Sequence, residues 1–381
     1  MTKTAKTILA VIIIVVIIVI AIVASRKGGA GVANAEPIKI GVITPLSGDG
    51  AVYGEPARNV YQLAVDEINA AGGIGGKQIV LAIEDSKCNG KDAVSATQKL
   101  ITVEKVQIII GGVCSSESLA SVPVLEAAKV AMFSPAASSP DLTGKSLFFS
   151  RDYPSDASQG SVLAQKAFDL GYRKVAFIQE QTDYALGIYK AFTEKFQSLG
   201  GTVIKEEFPT TQTDFRSSLA KLQSEKPDML LIDAQTAPGA GRILKQLTDL
   251  KWKVKLFTND IVFGLPDLIK DNAQVLEGAI AAEFKVNASS TRFAQLITNY
   301  KTKYGSDMPY QSYGQTEYDS IYLIRDAIAA VGYDGQKIAA WLRTVKNWDG
   351  ASGSVTIGDN GDRIGGHSLE VLKNGKIEPL I

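Results

Sequence analysis

Between residues 38 and 258, short β-branched runs alternate with longer amphipathic stretches, and this alternation limits the fold more than any other feature of the chain. Ile38–Leu46 reads as a strand bounded by Ser47-Gly48. Glu55–Ala71 reads as a helix closed by Gly72-Gly73, and Gln78–Glu84 as a second strand. Lys91–Glu104 predicts a helix, Val106–Gly111 a buried strand, Ser116–Lys129 a helix and Ala131–Pro135 a further strand. A βαβα rhythm predicts a parallel sheet covered on both faces. The rhythm then restarts, with strands at Val175–Gln179, Thr202–Phe208, Met229–Asp233 and Lys255–Thr258. Helices at Tyr184–Leu199, Asp214–Ser224 and Ala240–Leu250 separate them. Two doubly wound α/β units follow, with a helix at Asp156–Leu170 between them and Ser150–Pro154 as a crossover.

The last third breaks the rhythm. Ser290–Tyr304, Gln315–Val331 and Gln336–Val345 are helical. Ser354–Ile357 and Leu369–Leu372 resemble hairpin strands around the turn-rich Gly358–Asp362. A chain that returns to the first unit and crosses back gives these elements a place to pack.

Composition removes whole classes of function. The 381 residues hold 40 Lys and Arg against 40 Asp and Glu, so a general nucleic-acid binder, which needs a basic face, is excluded. The single histidine, His367, rules out metal sites of the two- or three-His kind, and no Cys-x-x-Cys pair stands in for one. Any Ser-His-Asp or Cys-His mechanism would have to use His367, which lies in the Gly-rich stretch Ile364–Ser368 and reads as a surface turn histidine. No catalytic residue and no cofactor is expected.

The neutral total conceals an asymmetry. Lys3, Lys6, Arg26 and Lys27 are unaccompanied by acids before residue 36, which leaves the remaining chain with 36 bases against 40 acids. The apolar run Ile8–Ala24 lies between those bases and shows no amphipathic period. Two export readings stand open. One is a signal peptide cleaved after Ala33-Asn34-Ala35; the other is an uncleaved membrane anchor with the Gly/Ala-rich stretch Ser25–Ala35 as a stalk. Either places residues 36–381 outside the cytoplasm. In that compartment Cys88 and Cys114 read as a disulfide, with two free thiols as the alternative.

Two loops carry candidate binding chemistry. Cys114-Ser115-Ser116-Glu117-Ser118 leaves a strand and opens a helix, with Ser115 as the expected N-cap and Ser118 three residues on. Exposed N–H groups and a hydroxyl at a helix N-terminus suit a carboxylate. Ser134–Pro140 is a second hydroxyl-rich loop at the end of the next strand. Both lie where open α/β sheets place ligands. In the second unit Asp260 follows a strand end, while Tyr53 and Tyr184 occupy loop positions suited to an apolar ligand body. Gly72–Lys77 invites a phosphate-loop reading but follows a helix and enters a strand, the reverse of that arrangement.

With those residues in hand, the chain resembles the leucine/isoleucine/valine-binding branch of periplasmic-type solute-binding proteins of ABC importers, from residue 38 to about 375. The carriers are Ile40–Gly48, Tyr53-Gly54, Ala64–Ile74, Cys88, Gly111–Ser116 and Ser134–Ser138. The resemblance implies an α/β fold of two doubly wound parallel-sheet lobes joined by a three-strand hinge, the Venus-flytrap arrangement of type I periplasmic binding proteins. It implies an N-terminal lobe of residues 36–152 and 285–363 and a C-terminal lobe of 153–284 and 364–381.

The same resemblance implies that Cys88 and Cys114 form the N-lobe disulfide. Ser115 would hold a ligand carboxylate, and Ala136 and Ser138 the amino-acid backbone. Tyr53 and Tyr184 would flank the ligand, Asp260 would pair with its ammonium, and Asp156 would stand at the interlobe crossing. It implies a monomeric receptor whose partners are a small amino acid, branched-chain first, and a membrane ABC permease. A membrane-anchored sensor, or a receptor for an amide or short carboxylate, is the alternative. Thr236 stands where branched-chain receptors often carry an aromatic, which leaves the side-chain half of the pocket open.

Overall fold

A computed structural model describes residues 36–380. The apolar run Ile8–Ala24 and the cleavage motif lie outside the described residues. Among the described residues no helix is long and apolar enough to cross a membrane.

The first sheet is parallel, with strand order β2-β1-β3-β4-β5. Its strands are β1 (Ile38–Thr44), β2 (Ile79–Asp85), β3 (Ile108–Ile110), β4 (Ala131–Ser134) and β5 (Phe149–Arg151). The buried triplet Ile108-Ile109-Ile110 shows why it is covered on both faces: Ile109 packs with Leu100 and Leu125, Ile108 and Ile110 with Ala64 and Leu323. The crossover helices are α1 (Ala51–Ala70), α2 (Gly90–Thr102) and α3 (Ser115–Ala128). Helix α1 begins four residues before the expected Glu55, because its first turn rests on the loop after β1. A Cβ on Gly54 would lie 1.7 Å from the Pro45 carbonyl oxygen, so only glycine permits that approach. Tyr53 therefore sits on a helix, not in a loop. The Gly72–Lys77 segment is a turn into β2: Gly73 has φ +72°, and a Cβ there would meet the Lys77 carbonyl at 2.0 Å.

The second sheet has order β14-β13-β10-β9-β8-β6-β7. Its parallel strands are β6 (Lys174–Glu180), β7 (Thr202–Phe208), β8 (Met229–Asp233), β9 (Lys255–Thr258) and β10 (Ile280–Glu283). Helices α4 (Asp156–Asp169) and α5 (Asp183–Ser198) cover one face, α6 (Arg216–Ser224) and α7 (Ala237–Asp249) the other. The N-cap hydroxyls of Ser155, Thr182 and Thr236 each accept a backbone N–H at the start of α4, α5 and α7. Short helices α8 (Asp260–Phe263), α9 (Pro266–Asp271) and α10 (Ala273–Leu276) follow β9.

The expected late hairpin does not form. Strand β12 (Gly353–Val355) pairs with β11 (Trp348–Gly350), while β13 (Ser368–Lys373) adds antiparallel to β10 and then to β14 (Lys376–Pro379). Two stretches of alternating apolar residues in sequence order found partners in different lobes. The helices α11 (Thr291–Tyr304), α12 (Gln311–Val331) and α13 (Gly335–Leu342) return to pack with α1 and the first sheet, leaving β13 to cross back.

The chain thus passes between the sheets three times: after β5, after β10 and before β13. Buried ion pairs mark these crossings. Arg151 meets Asp362 at 2.8 Å, and Arg363 meets Asp152 at 2.9 Å. Arg151 also donates to the carbonyls of Ala137 and Ser139, while Asp152 keeps one buried oxygen without a partner and burial raises its pKa to about 8.

Candidate functional site

The carboxyl ends of the two sheets face each other across a cleft, where an open parallel sheet exposes loops and helix N-termini. Cys88 and Cys114 are joined as a disulfide, with Cα atoms 5.4 Å apart. The bridge ties the loop after β2 to the start of α3. Cys114, not Ser115, is the N-cap of α3, and Glu117, not Ser118, occupies the capping-box position. The helix starts one residue earlier than expected because the buried Glu117 carboxylate gathers the strand-end loops: it accepts from the N–H of Cys114 at 2.9 Å, the N–H of Cys88 at 3.1 Å and the Ser86 hydroxyl. Burial raises the Glu117 pKa to about 7 against the pull of those hydrogen bonds. The signal for it was present as Cys114-Ser115-Ser116-Glu117.

Five of the sequence-derived residues line one small cavity between the lobes: Tyr53, Ser115, Ala136, Ser138 and Tyr184. Ser115 is the first residue of α3, and its Oγ accepts the Ser139 N–H at 3.1 Å, which locks the two N-lobe loops together. Ala136 donates its N–H to Ser134 Oγ at 3.4 Å. Tyr53 donates across the cleft to the Gln235 carbonyl at 2.5 Å and stacks on Tyr310, with ring centroids 4.9 Å apart. The cavity left between these groups is about 20 Å³, room for about one water.

Asp260 and Asp156 stand one hydrogen bond behind that cavity. Asp260 accepts from the Tyr184 hydroxyl, from Tyr313 at 2.6 Å, from Gln159 at 2.9 Å and from Tyr153 at 3.2 Å. Tyr153 also donates to Glu283 at 3.2 Å. Asp156 accepts from Ser138 at 2.6 Å. Burial, then the charge of Asp260, raises the pKa of both Asp156 and Glu283. Burial likewise raises Asp233 on β8, which holds Asn259 at 3.1 Å.

His367 is not on a surface turn. Its side chain is fully enclosed at the third crossing, 4.0 Å from Asp156 and edge-on to Tyr153. Burial lowers its pKa to about 4, so it is neutral at ordinary pH. The Gly-rich flank reads as a loop, but Tyr153 and the first turn of α4 close over it.

Thr236 does not enter the inner cavity. It caps α7 and donates to Glu180 at 2.8 Å, while the Glu180 carboxylate also accepts the N–H groups of Gln235 and Thr236. The residue from this loop that reaches the cavity is Gln235. Gln235 and Tyr313 are polar lining residues the sequence did not reveal, beside the apolar Val113 and Ile261; Tyr313 lies 260 residues from Tyr53, beyond any local pattern. Tyr53 and Gln235 also separate the inner cavity from an outer chamber of about 700 Å³ at the cleft mouth.

Two parallel-sheet lobes with three crossings and a ligand-sized cleft define a two-lobed solute receptor. Residues 37–373 match the periplasmic binding protein family, and the chain belongs to it. The Leu/Ile/Val-binding protein BraC3 of Rhizobium johnstonii is 28% identical over 339 residues, covering 87% of this chain and 90% of that protein. The crystal structure of the leucine binding protein LivK from Thermotoga maritima matches with a TM-score of 0.82 at 30% identity, over 90% of this chain and 98% of that one. The substrate binding protein LivJ from Streptococcus pneumoniae, in complex with isoleucine, matches with a TM-score of 0.80 at 27% identity, over 90% and 98% of the respective chains. The homologues are solute-binding receptors, not enzymes, and the family is extracytoplasmic and works with ABC permeases.

Proposed function

We propose that this chain is the receptor of an ABC importer and closes its two lobes on an α-amino acid. The observation that carries this is the pairing of chemistry across the cleft: Ser115 at the N-terminus of α3 on one side, and the Asp260 carboxylate on the other. The helix terminus and hydroxyls of Ser115 and Ser138 hold the ligand carboxylate and backbone. Asp260 receives the ammonium, with the hydroxyls of Tyr184 and Tyr313 yielding part of their hold on it. A ligand touching both lobes binds the closed form better and shifts the hinge equilibrium toward it. The names of the relatives make leucine, isoleucine and valine the first ligands to test.

The test is calorimetric titration of the detergent-solubilised full-length chain with α-amino acids, their amides and the matching carboxylic acids. Binding of amino acids, with loss of affinity when either charged group of the ligand is removed, is the expected result. Equal affinity for a carboxylic acid lacking the ammonium would remove Asp260 from the site and favour the short-carboxylate alternative.

A further inference from the structure

The inner cavity holds about one water, so a bound amino acid needs the lobes to part there, and its side chain needs the space beyond. The open space that adjoins it, past the shared walls Tyr53 and Gln235, is the outer chamber of about 700 Å³. The walls of that chamber are unlike a leucine pocket. Leu186 is its one aliphatic side chain with more than two carbons, and the C-lobe wall is built from Gln179, Gln181, Thr182 and Asp183. A branched aliphatic group gains from apolar walls and gains little against amides and hydroxyls.

One group there asks for a donor. Gln179 is the penultimate residue of β6, is 2% exposed and stands in the chamber wall, and its enclosed side-chain carbonyl oxygen has no hydrogen-bond partner. Its amide nitrogen already donates to the Glu180 carbonyl at 3.4 Å, which fixes which end of the amide is free. The neighbouring carboxylate, Glu180, is spoken for by the Gln235 and Thr236 N–H groups and the Thr236 hydroxyl. A buried acceptor left bare costs free energy that a ligand N–H would recover. The chamber's charge agrees: Asp49, Asp183 and Glu207 line it against the single base Lys87, which itself pairs with Asp92 at 3.3 Å.

We propose that the ligand is an amino acid whose side chain ends in N–H donors, a carboxamide or a guanidinium, read by the side-chain carbonyl of Gln179. This rests on the amino-acid receptor reading above and narrows it. Sites built to hydrogen-bond a ligand group reject the analogue lacking that group far more strongly than apolar pockets reject a changed methylene.

Titration of the full-length chain in detergent with glutamine, arginine and leucine tests it. Glutamine or arginine should bind at least about tenfold more tightly than leucine, and Gln179→Leu should erase most of that margin. Glutamine ahead of arginine supports the carboxamide; arginine ahead, with the lead lost in Asp183→Asn, supports the guanidinium. Leucine binding more tightly than both overturns the proposal while leaving the receptor reading intact. Binding of none of the three overturns that reading and this one with it. Should Gln179→Leu fail to fold, the wild-type ranking alone decides.

Discussion

The two faces of the cleft are built from the same βα connections and carry opposite chemistry. On the N-lobe face Ser115 and Ser138 present hydroxyls beside a helix N-terminus, and the one carboxylate nearby, Glu117, is turned into its own loop network. On the C-lobe face Glu180, Asp233 and Asp260 stand at the carboxyl ends of the neighbouring strands β6, β8 and β9, with Asp156 and Glu283 at the crossings. One face offers donors, the other acceptors. Neither alone suits a zwitterion. Bringing them together sets donors against acceptors across the cleft, and it concentrates the mildly acidic balance of residues 36–381 on one side of it.

The contrast is sharpest at Asp260. Asp260→Ala should weaken amino-acid binding by about 2–4 kcal/mol in calorimetry, because the ammonium loses its partner and four donors lose theirs. Binding unchanged within a few-fold would break the assignment of opposite roles to the two faces. Glu117 tests the other side. Its folded pKa of about 7 lies above the ordinary 4.5, so the folded state holds a proton the unfolded state releases. Stability should be full below about pH 4.5 and fall by on the order of 3 kcal/mol as the pH rises to about 7. Denaturant titrations across that window should show the slope in the wild type and a flatter profile in Glu117→Gln. No difference in slope would mean that the N-lobe face is charged after all.

Smaller effects discriminate further. Ser115→Ala should lower amino-acid affinity by about 1–3 kcal/mol, since the Ser139 N–H loses its acceptor along with the ligand. A loss equal to that in Asp260→Ala would erase the asymmetry between the faces. Thr236→Ala removes the cap of α7 and should cost about 1 kcal/mol in thermal unfolding. A large accompanying change in ligand affinity would show that Thr236 reads the ligand, contrary to its position beside Glu180.

Much of this was legible because it is local. Apolar period and glycine turns located β1 to β4 and β6 to β9 within a few residues, though β5 lay in a stretch read as a crossover, and the loops holding Ser115 and Ser138 were visible as hydroxyls after buried strands. Tyr313, Gln235 and the Gln159 amide were not legible, because each reaches the cleft from an element whose neighbours lie far away in sequence. His367 was misplaced for the same cause: the two glycines before it signal a loop, and nothing in the loop signals that Tyr153 and Asp156 pack over it. The late strands failed as a hairpin because short alternating runs do not specify which edge they join.

The sequence by itself determined the two α/β units, the disulfide candidates and the classes of chemistry that residues 36–381 lack, since these depend on residue type and short-range period. Tertiary structure decided that β12 and β13 part company, that Asp260 is held by tyrosines from both lobes, and that Gln179 stands in the chamber wall with an unpaired, buried carbonyl. Those outcomes depend on which surfaces meet across three chain crossings, and burial at such a meeting is a property of the assembled fold, not of any one segment.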